Sequence, residues 1–130
     1  MRLFAKHFTV EEANALIPFL REKFAQIHAL LPPLIEGREK MKPIFRAARR
    51  NGGGAGDSRY LDLSLQVQRH IAEILQKGVL IKDLERGLVD FPALRGDQEV
   101  FLCWELKEAD EVRYWHDLFS GYAGRRPLED

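Results

Sequence analysis

From Thr9 to Ala48 an apolar residue recurs every three or four positions, and that spacing constrains the fold more than any other feature. Val10, Ala13, Ile17, Leu20, Phe24, Ile27, Leu31 and Leu34 alternate steps of three and four, the spacing of a packed helical seam. The register continues through Arg38, Met41, Phe45 and Ala48, with Arg38 as its polar member. Thr9 and Glu12 stand three apart just ahead of the first turn, the spacing of a reciprocal capping box that satisfies two otherwise orphaned N–H groups. A helix is therefore predicted to start at Val10.

Pro18 and the Pro32-Pro33 pair fall inside this stretch. A proline inside a helix loses one hydrogen bond and costs about 3 kcal/mol. The heptad phase nevertheless survives all three, because each lies one or two residues past a seam position, on the outer face. Residues 10–50 thus read as one long kinked helix or two collinear ones, with a true break at Pro32 as the alternative. Asn51 to Gly56 holds four glycines in six residues and reads as a flexible loop. No strand precedes it and no Gly-Lys-Ser/Thr follows, so a phosphate loop is not indicated. Asp57 or Ser58 is the expected cap of a second helix, with Tyr60, Leu63, Val67, Ile71 and Ile74 on one stripe, widened by Leu61, Leu65, Ala72 and Leu75. Gly78 is its stop signal. Two helices joined by a loop make a hairpin.

The pattern changes at Val79. Residues 79–81, 88–91, 100–106 and 112–116 are short, β-branched or aromatic, and bounded by Gly, Pro or Asp, as strands are. Arg95-Gly96-Asp97 reads as the turn before the third. A five-residue loop, Lys107 to Glu111, would set Leu106 opposite Val112 and Glu105 opposite Arg113 as a cross-strand ion pair. Leu102, Trp104, Tyr114 and His116 would then share one face, and Phe101, Cys103, Glu105, Arg113 and Trp115 the other. The predicted fold is α+β: a long kinked helical hairpin on an antiparallel sheet of three to four strands, in one domain over 1–130. Helices occupy 10–50 and 58–78, the sheet 79–117, and a glycine and arginine tail 118–130.

At 45% hydrophobic and 31% charged the composition is that of an ordinary globular domain. No run approaches the roughly 18 apolar residues of a membrane span, and the first residues carry no signal-peptide pattern, so the expected compartment is the cytoplasm. A single cysteine, Cys103, leaves no intramolecular disulfide and no multi-cysteine zinc site. Twenty basic residues balance twenty acidic ones, which argues against a polyanionic partner. Residues 1–60 carry eleven Lys/Arg and six Asp/Glu, and the remainder the opposite excess, an asymmetry that suits association of subunits or halves. Lys40, Lys42, Arg46, Arg49 and Arg50 suit a helix C-terminus, whose dipole favours cations, without invoking nucleic acid.

Most chemistry-bearing residues lie beyond Lys82. Asp90 interrupts the apolar run Leu88-Val89-Asp90-Phe91-Pro92, where a carboxylate is costly unless paired or exposed. An edge-strand Asp capping backbone groups accounts for it, as does a ligand- or metal-binding group. His116 beside Tyr114-Trp115 suits a hydrogen-bonded structural role, a general base or a metal ligand. His116, Asp83 and Asp90 form a mixed His/carboxylate set of the kind that binds zinc, iron or manganese, though without a diagnostic spacing. Cys103 reads as a buried apolar residue, and a Cys103–His116 nucleophile pair is disfavoured because the predicted register puts them on opposite faces. Arg125-Arg126 could grip a carboxylate or phosphate, or pair with Asp90, Asp117 or Glu105.

Phe8-Thr9-Val10-Glu11-Glu12-Ala13-Asn14-Ala15-Leu16-Ile17-Pro18, Lys82-Asp83, Gly87-Leu88-Val89-Asp90-Phe91-Pro92, Leu102-Cys103-Trp104, Tyr114-Trp115-His116 and Gly121-Tyr122-Ala123-Gly124-Arg125-Arg126-Pro127-Leu128 follow one another in an order that resembles a prokaryotic family of unknown function, domain of unknown function 2203. The resemblance implies a small bacterial or archaeal cytoplasmic protein and no assigned activity. It marks Asp83, Asp90, Trp104, His116, Gly121 and Arg125 as motif positions. The chain departs from the family after the Cys-Trp strand, where Lys107-Glu108 stands in place of the family's Gly-Glu with one residue extra. The reading that follows is a homodimeric binding module associated through the helical seam. Its pocket is bordered by Asp83, Asp90, Trp104, His116 and Arg125, and its occupant is a divalent metal held by His116, Asp83 and Asp90, or a small anionic ligand. An enzyme with His116 as general base and an interaction module built on the seam are the alternatives.

Overall fold

The computed structural model describes residues 1–51 and 58–129. Helix α1 runs Val10–Asn51 and α2 Ser58–Gln76; five strands follow, β1 Leu80–Asp83, β2 Leu88–Arg95, β3 Gln98–Trp104, β4 Tyr114–Asp117 and β5 Arg126–Pro127, with one 3₁₀ turn at Tyr122–Gly124. The fold is α+β. The glycine loop and the Asp57 cap lie outside the described residues, as do the side chains of Phe45 and Ala48.

The capping box forms as predicted: Thr9 N–H donates to Glu12 Oε1 (2.9 Å) and Glu12 N–H to Thr9 Oγ1 (3.0 Å). Helix α1 continues through Pro18, Pro32-Pro33 and Pro43 without a break. Gly78, at φ 90°, ends α2 by donating to Leu75 O at 2.9 Å, a conformation glycine adopts without a Cβ penalty.

The contacts divide into two compact units, Met1–Phe24 with Glu73–Asp130, and Ala25–Ala72. In the second unit Ile27, Met41 and Val67 are buried, and the Tyr60 ring lies beside Gly37, where a Cβ would meet its Cδ2 at an ordinary contact distance of 3.5 Å. Leu61 and Leu65, expected to widen the buried stripe of α2, are more than half exposed. In the first unit the seam residues Ala13, Ile17, Leu20 and Phe24 are fully buried.

The sheet is wholly antiparallel, in the order β1-β2-β3-β4-β5. It has five strands rather than three or four because the arginine tail returns to the edge. Arg126 pairs with Trp115 and Pro127 with Tyr114, and Leu128 N–H donates to Arg113 O at 2.9 Å. Strand β2 runs on past Asp90 through Pro92. The Pro92 carbonyl accepts from Phe8 N–H at 2.7 Å, and in a strand a residue's N and C=O point to the same edge. The missing N–H of Pro92 therefore faces away from β3, and no rung of that ladder is lost.

The β3–β4 register also differs from the prediction, by one residue: Phe101 lies opposite His116, Leu102 opposite Trp115 and Cys103 opposite Tyr114. The connection is a nine-residue loop, 105–113, in place of a five-residue hairpin. Trp104 Nε1–H donates to Ala109 O (2.8 Å). Arg21 donates to Leu106 O, Glu108 O and Asp110 Oδ1 (2.9, 2.8 and 2.7 Å), and Val112 N–H to Asn14 Oδ1 (2.7 Å). The proposed Glu105–Arg113 pair does not form. Glu105, 1% exposed, bonds Arg86 at 2.6 Å and lies 3.3 Å from Lys107 Nζ, while Arg113 bonds Glu111. A slip of one residue exchanges the faces of a strand. Phe101, Cys103, Tyr114 and His116 therefore share one face, and Leu102, Trp104 and Trp115 the other. The second face meets the start of α1, with the Arg21 guanidinium 5.0 Å from the Trp104 ring and Phe8 edge-on to Phe91.

Candidate functional site

The two-residue turn Gly96-Asp97 joins β2 to β3 with Arg95 opposite Gln98, and counting back along the ladder puts Asp90 opposite Cys103. The observed β3–β4 register brings His116 to the same face. All three residues are at most 2% exposed. One ligand atom from each of Asp90, Cys103 and His116 lies within 4.8 Å of the other two. Such a set could chelate a metal ion.

The imidazole is held from both sides. His116 Nδ1 lies 2.6 Å from the Asp117 carbonyl oxygen, which only accepts, so Nδ1 carries a proton. Nε2 lies 3.0 Å from Asp90 Oδ1. Burial alone would push the imidazole pKa down; the bonds to Asp90 and to the Asp117 carbonyl outweigh it, and the net shift is upward. The Cys103 thiol is pushed up to about 12, first by burial and then by the Asp90 carboxylate. A bare thiol of that kind is protonated at neutral pH and is a poor nucleophile. The register argument against a Cys–His pair thus fails, while its chemistry still disfavours one.

A pocket of about 170 Å³ opens over the cluster, lined among others by Lys82, Phe101, Phe119 and Tyr122. Lys82 occupies an irregularity in the β1–β2 ladder between Ile81 and Asp83. Its ammonium lies 4.0 Å from Asp90 Oδ2 and 5.1 Å from the Phe101 ring centroid. It is the cation at the mouth.

Of the residues singled out in the sequence, Asp90 and His116 meet. Asp83 does not join them: its Oδ1 accepts from Arg86 N–H (3.1 Å) in the β1–β2 turn, so Cys103 rather than Asp83 completes the set. Trp104 is fully buried on the opposite face. Arg125 meets neither Asp90, Asp117 nor Glu105. Its Nη2 bonds both oxygens of Glu108 (2.8 and 2.7 Å), and its guanidinium stacks on Tyr114 and Tyr122. The sequence reading takes Cys103 for a buried apolar residue rather than a ligand and gives Lys82 no role. The signal for Cys103 was present, since a two-residue Gly-Asp turn fixes the Asp90–Cys103 pairing by count.

No helix among the described residues is long and apolar enough to cross a membrane. A family model described as "Uncharacterized conserved protein (DUF2203)" matches residues 6–128. No curated protein and no solved structure matches the chain.

Proposed function

The chain belongs to the DUF2203 family, and within that frame we propose that it is a cytoplasmic, homodimeric metal-binding module whose centre is Asp90, Cys103 and His116. The observation that carries this reading is the hydrogen bond from His116 Nδ1–H to the Asp117 carbonyl. With Nδ1–H committed to the Asp117 carbonyl, Nε2, 3.0 Å from Asp90 Oδ1, is the nitrogen left for a metal. This is the arrangement by which ligating histidines are usually oriented. The imidazole, thiolate and carboxylate set suits zinc. Zinc ligands at bonds of about 2.0–2.3 Å lie roughly 3.3–3.8 Å apart in a tetrahedron, so side-chain adjustment of about an ångström gathers these atoms around an ion. Cys103 Sγ would hold zinc as the thiolate, its proton passing to solvent. Lys82, which lines the pocket over the cluster, would suit a small anionic ligand there.

The test is native mass spectrometry and zinc titration on protein purified without a chelator. One zinc per chain, lost in both Cys103→Ala and His116→Ala and retained in Asp83→Ala, is the expected result. Protein of bare chain mass that takes up no zinc would overturn it.

A further inference from the structure

The α1 seam is used inside the fold: Ala13, Ile17, Leu20, Phe24 and Ile27 are at most 1% exposed, so they cannot also hold a second copy of the chain. Helix α2 carries another row. Leu61, Leu65, Gln68 and Ala72 follow one another by steps of four, three and four, the spacing of a coiled-coil seam. All four are exposed, and Leu61 and Leu65 keep 54% and 58% of their surface in water. The row lies about a third of a turn round the helix from Val67, which is buried. Single exposed leucines need no explanation, but apolar residues gathered in one line at seam spacing mark an association surface.

The charges beside the row say what covers it. Asp62 and Arg69 each stand one position after a seam residue, Leu61 and Gln68, on the same flank, and flanking positions of this kind face each other across an antiparallel helix pair. Both are exposed, and the Asp62 carboxylate accepts from the neutral Gln66 amide at 3.0 Å. When two copies of α2 run antiparallel about a two-fold axis, with Leu61 on Ala72 and Leu65 on Gln68 of the second copy, Asp62 lies against Arg69 of the second copy and Arg69 against its Asp62. The stagger one heptad on, which would bring in Leu75, 48% exposed, sets Arg69 against Arg69 and is repulsive. Gln68 in the seam fixes the register at some cost in stability, as polar seam residues do. We infer that the exposed row of α2 is the surface on which two copies of this chain associate, antiparallel, with paired Asp62 and Arg69 setting the stagger. The inference rests on the homodimer proposed above and is independent of the metal centre.

A seam of three turns is about 16 Å long. It falls in the weak class of interfaces, below about 1,200 Å², with half-dissociation expected at about 10–100 µM chain. The test is sedimentation velocity of the full chain in EDTA across that range, where the native chain should pass from monomer to dimer. Leu61→Glu, a change at an exposed position, should stay monomeric throughout with an unchanged circular dichroism spectrum. Asp62→Arg and Arg69→Asp each oppose like charges and should each weaken the dimer about tenfold or more. The double variant should recover it, and an equimolar mixture of the two single variants should form a heterodimer. A native chain that stays monomeric would overturn the inference and the homodimer with it. A dimer that survives Leu61→Glu, or a double variant no tighter than the single ones, would overturn this surface or its stagger and leave the homodimer to another face. Zinc uptake is read separately, so failure of the metal centre leaves this result untouched.

Discussion

The Asp90–His116 contact makes an asymmetric prediction about stability. In His116→Phe the ring is kept and both nitrogens are lost. Asp90, whose side chain is 3% exposed, then keeps as its cation partner Lys82, at 4.0 Å and itself 44% exposed, beside the neutral Cys103 thiol. Removing one partner of a buried ion pair costs about 3–5 kcal/mol, because the remaining charge stays desolvated. In Asp90→Leu the imidazole can shed its second proton and keep its bond to the Asp117 carbonyl. The loss is then one buried hydrogen bond with Nε2 left as an unsatisfied acceptor, about 1–3 kcal/mol. The double variant removes both polar groups together. Exchanging a buried pair for apolar residues is often neutral or stabilising, so its cost should fall below that of His116→Phe alone. At about 3–5 °C per kcal/mol for a chain of this size, His116→Phe should lower Tm by roughly 10–20 °C. Urea denaturation of the four proteins in EDTA measures the coupling directly. If the double variant lost as much as the two single variants combined, the pair would be uncoupled and the reasoning would fail.

Further outcomes follow from other contacts. Glu99 accepts from the Leu3 and Phe4 N–H groups and from His7, and its pKa is lowered to about 2, chiefly by the Leu3 N–H. A depressed carboxylate pKa contributes stability above its unfolded value and loses it as pH falls through the folded one. The Tm of the native chain should therefore decline from pH about 4.5 toward 2, and Glu99→Gln should flatten that decline in calorimetry. Gly87 has φ 62°, and a Cβ there would collide with Leu106, so Gly87→Ala should cost about 1–3 kcal/mol in denaturant unfolding. A cost near zero would place Leu106 elsewhere. Arg21→Ala removes three bonds to the 105–113 loop. Amide exchange should accelerate across residues 105–110 while the β2–β3 ladder stays protected.

Legibility tracked the sequence distance between interacting partners. The start of α1 at Val10 was readable because Thr9 and Glu12 satisfy each other within a single turn, and the end of α2 because Gly78 supplies the positive φ itself. The Asp90–Cys103 pairing was equally local, counted back from Gly96-Asp97, yet a buried cysteine in a strand reads as packing unless its neighbours are known. His116 joined the cluster only through the β3–β4 register. That register depends on Arg21 and Asn14, which hold the intervening loop from about ninety residues away in sequence. No periodicity encodes such contacts.

The tail shows the same division. Its arginines were visible as anion-binding groups, but their partners were not. Glu108 took Arg125, and the Trp115 ring took Arg126, once β5 had closed the sheet edge. The sequence by itself determined the α+β class, the capped helices, the turn at Gly96 and the residue types available for chemistry, because each depends on neighbours within a turn or two of chain. The tertiary structure alone decided which face His116 occupies and that Cys103 rather than Asp83 stands beside it. Those outcomes depend on strand register, and a shift of one residue reverses every side chain of a strand.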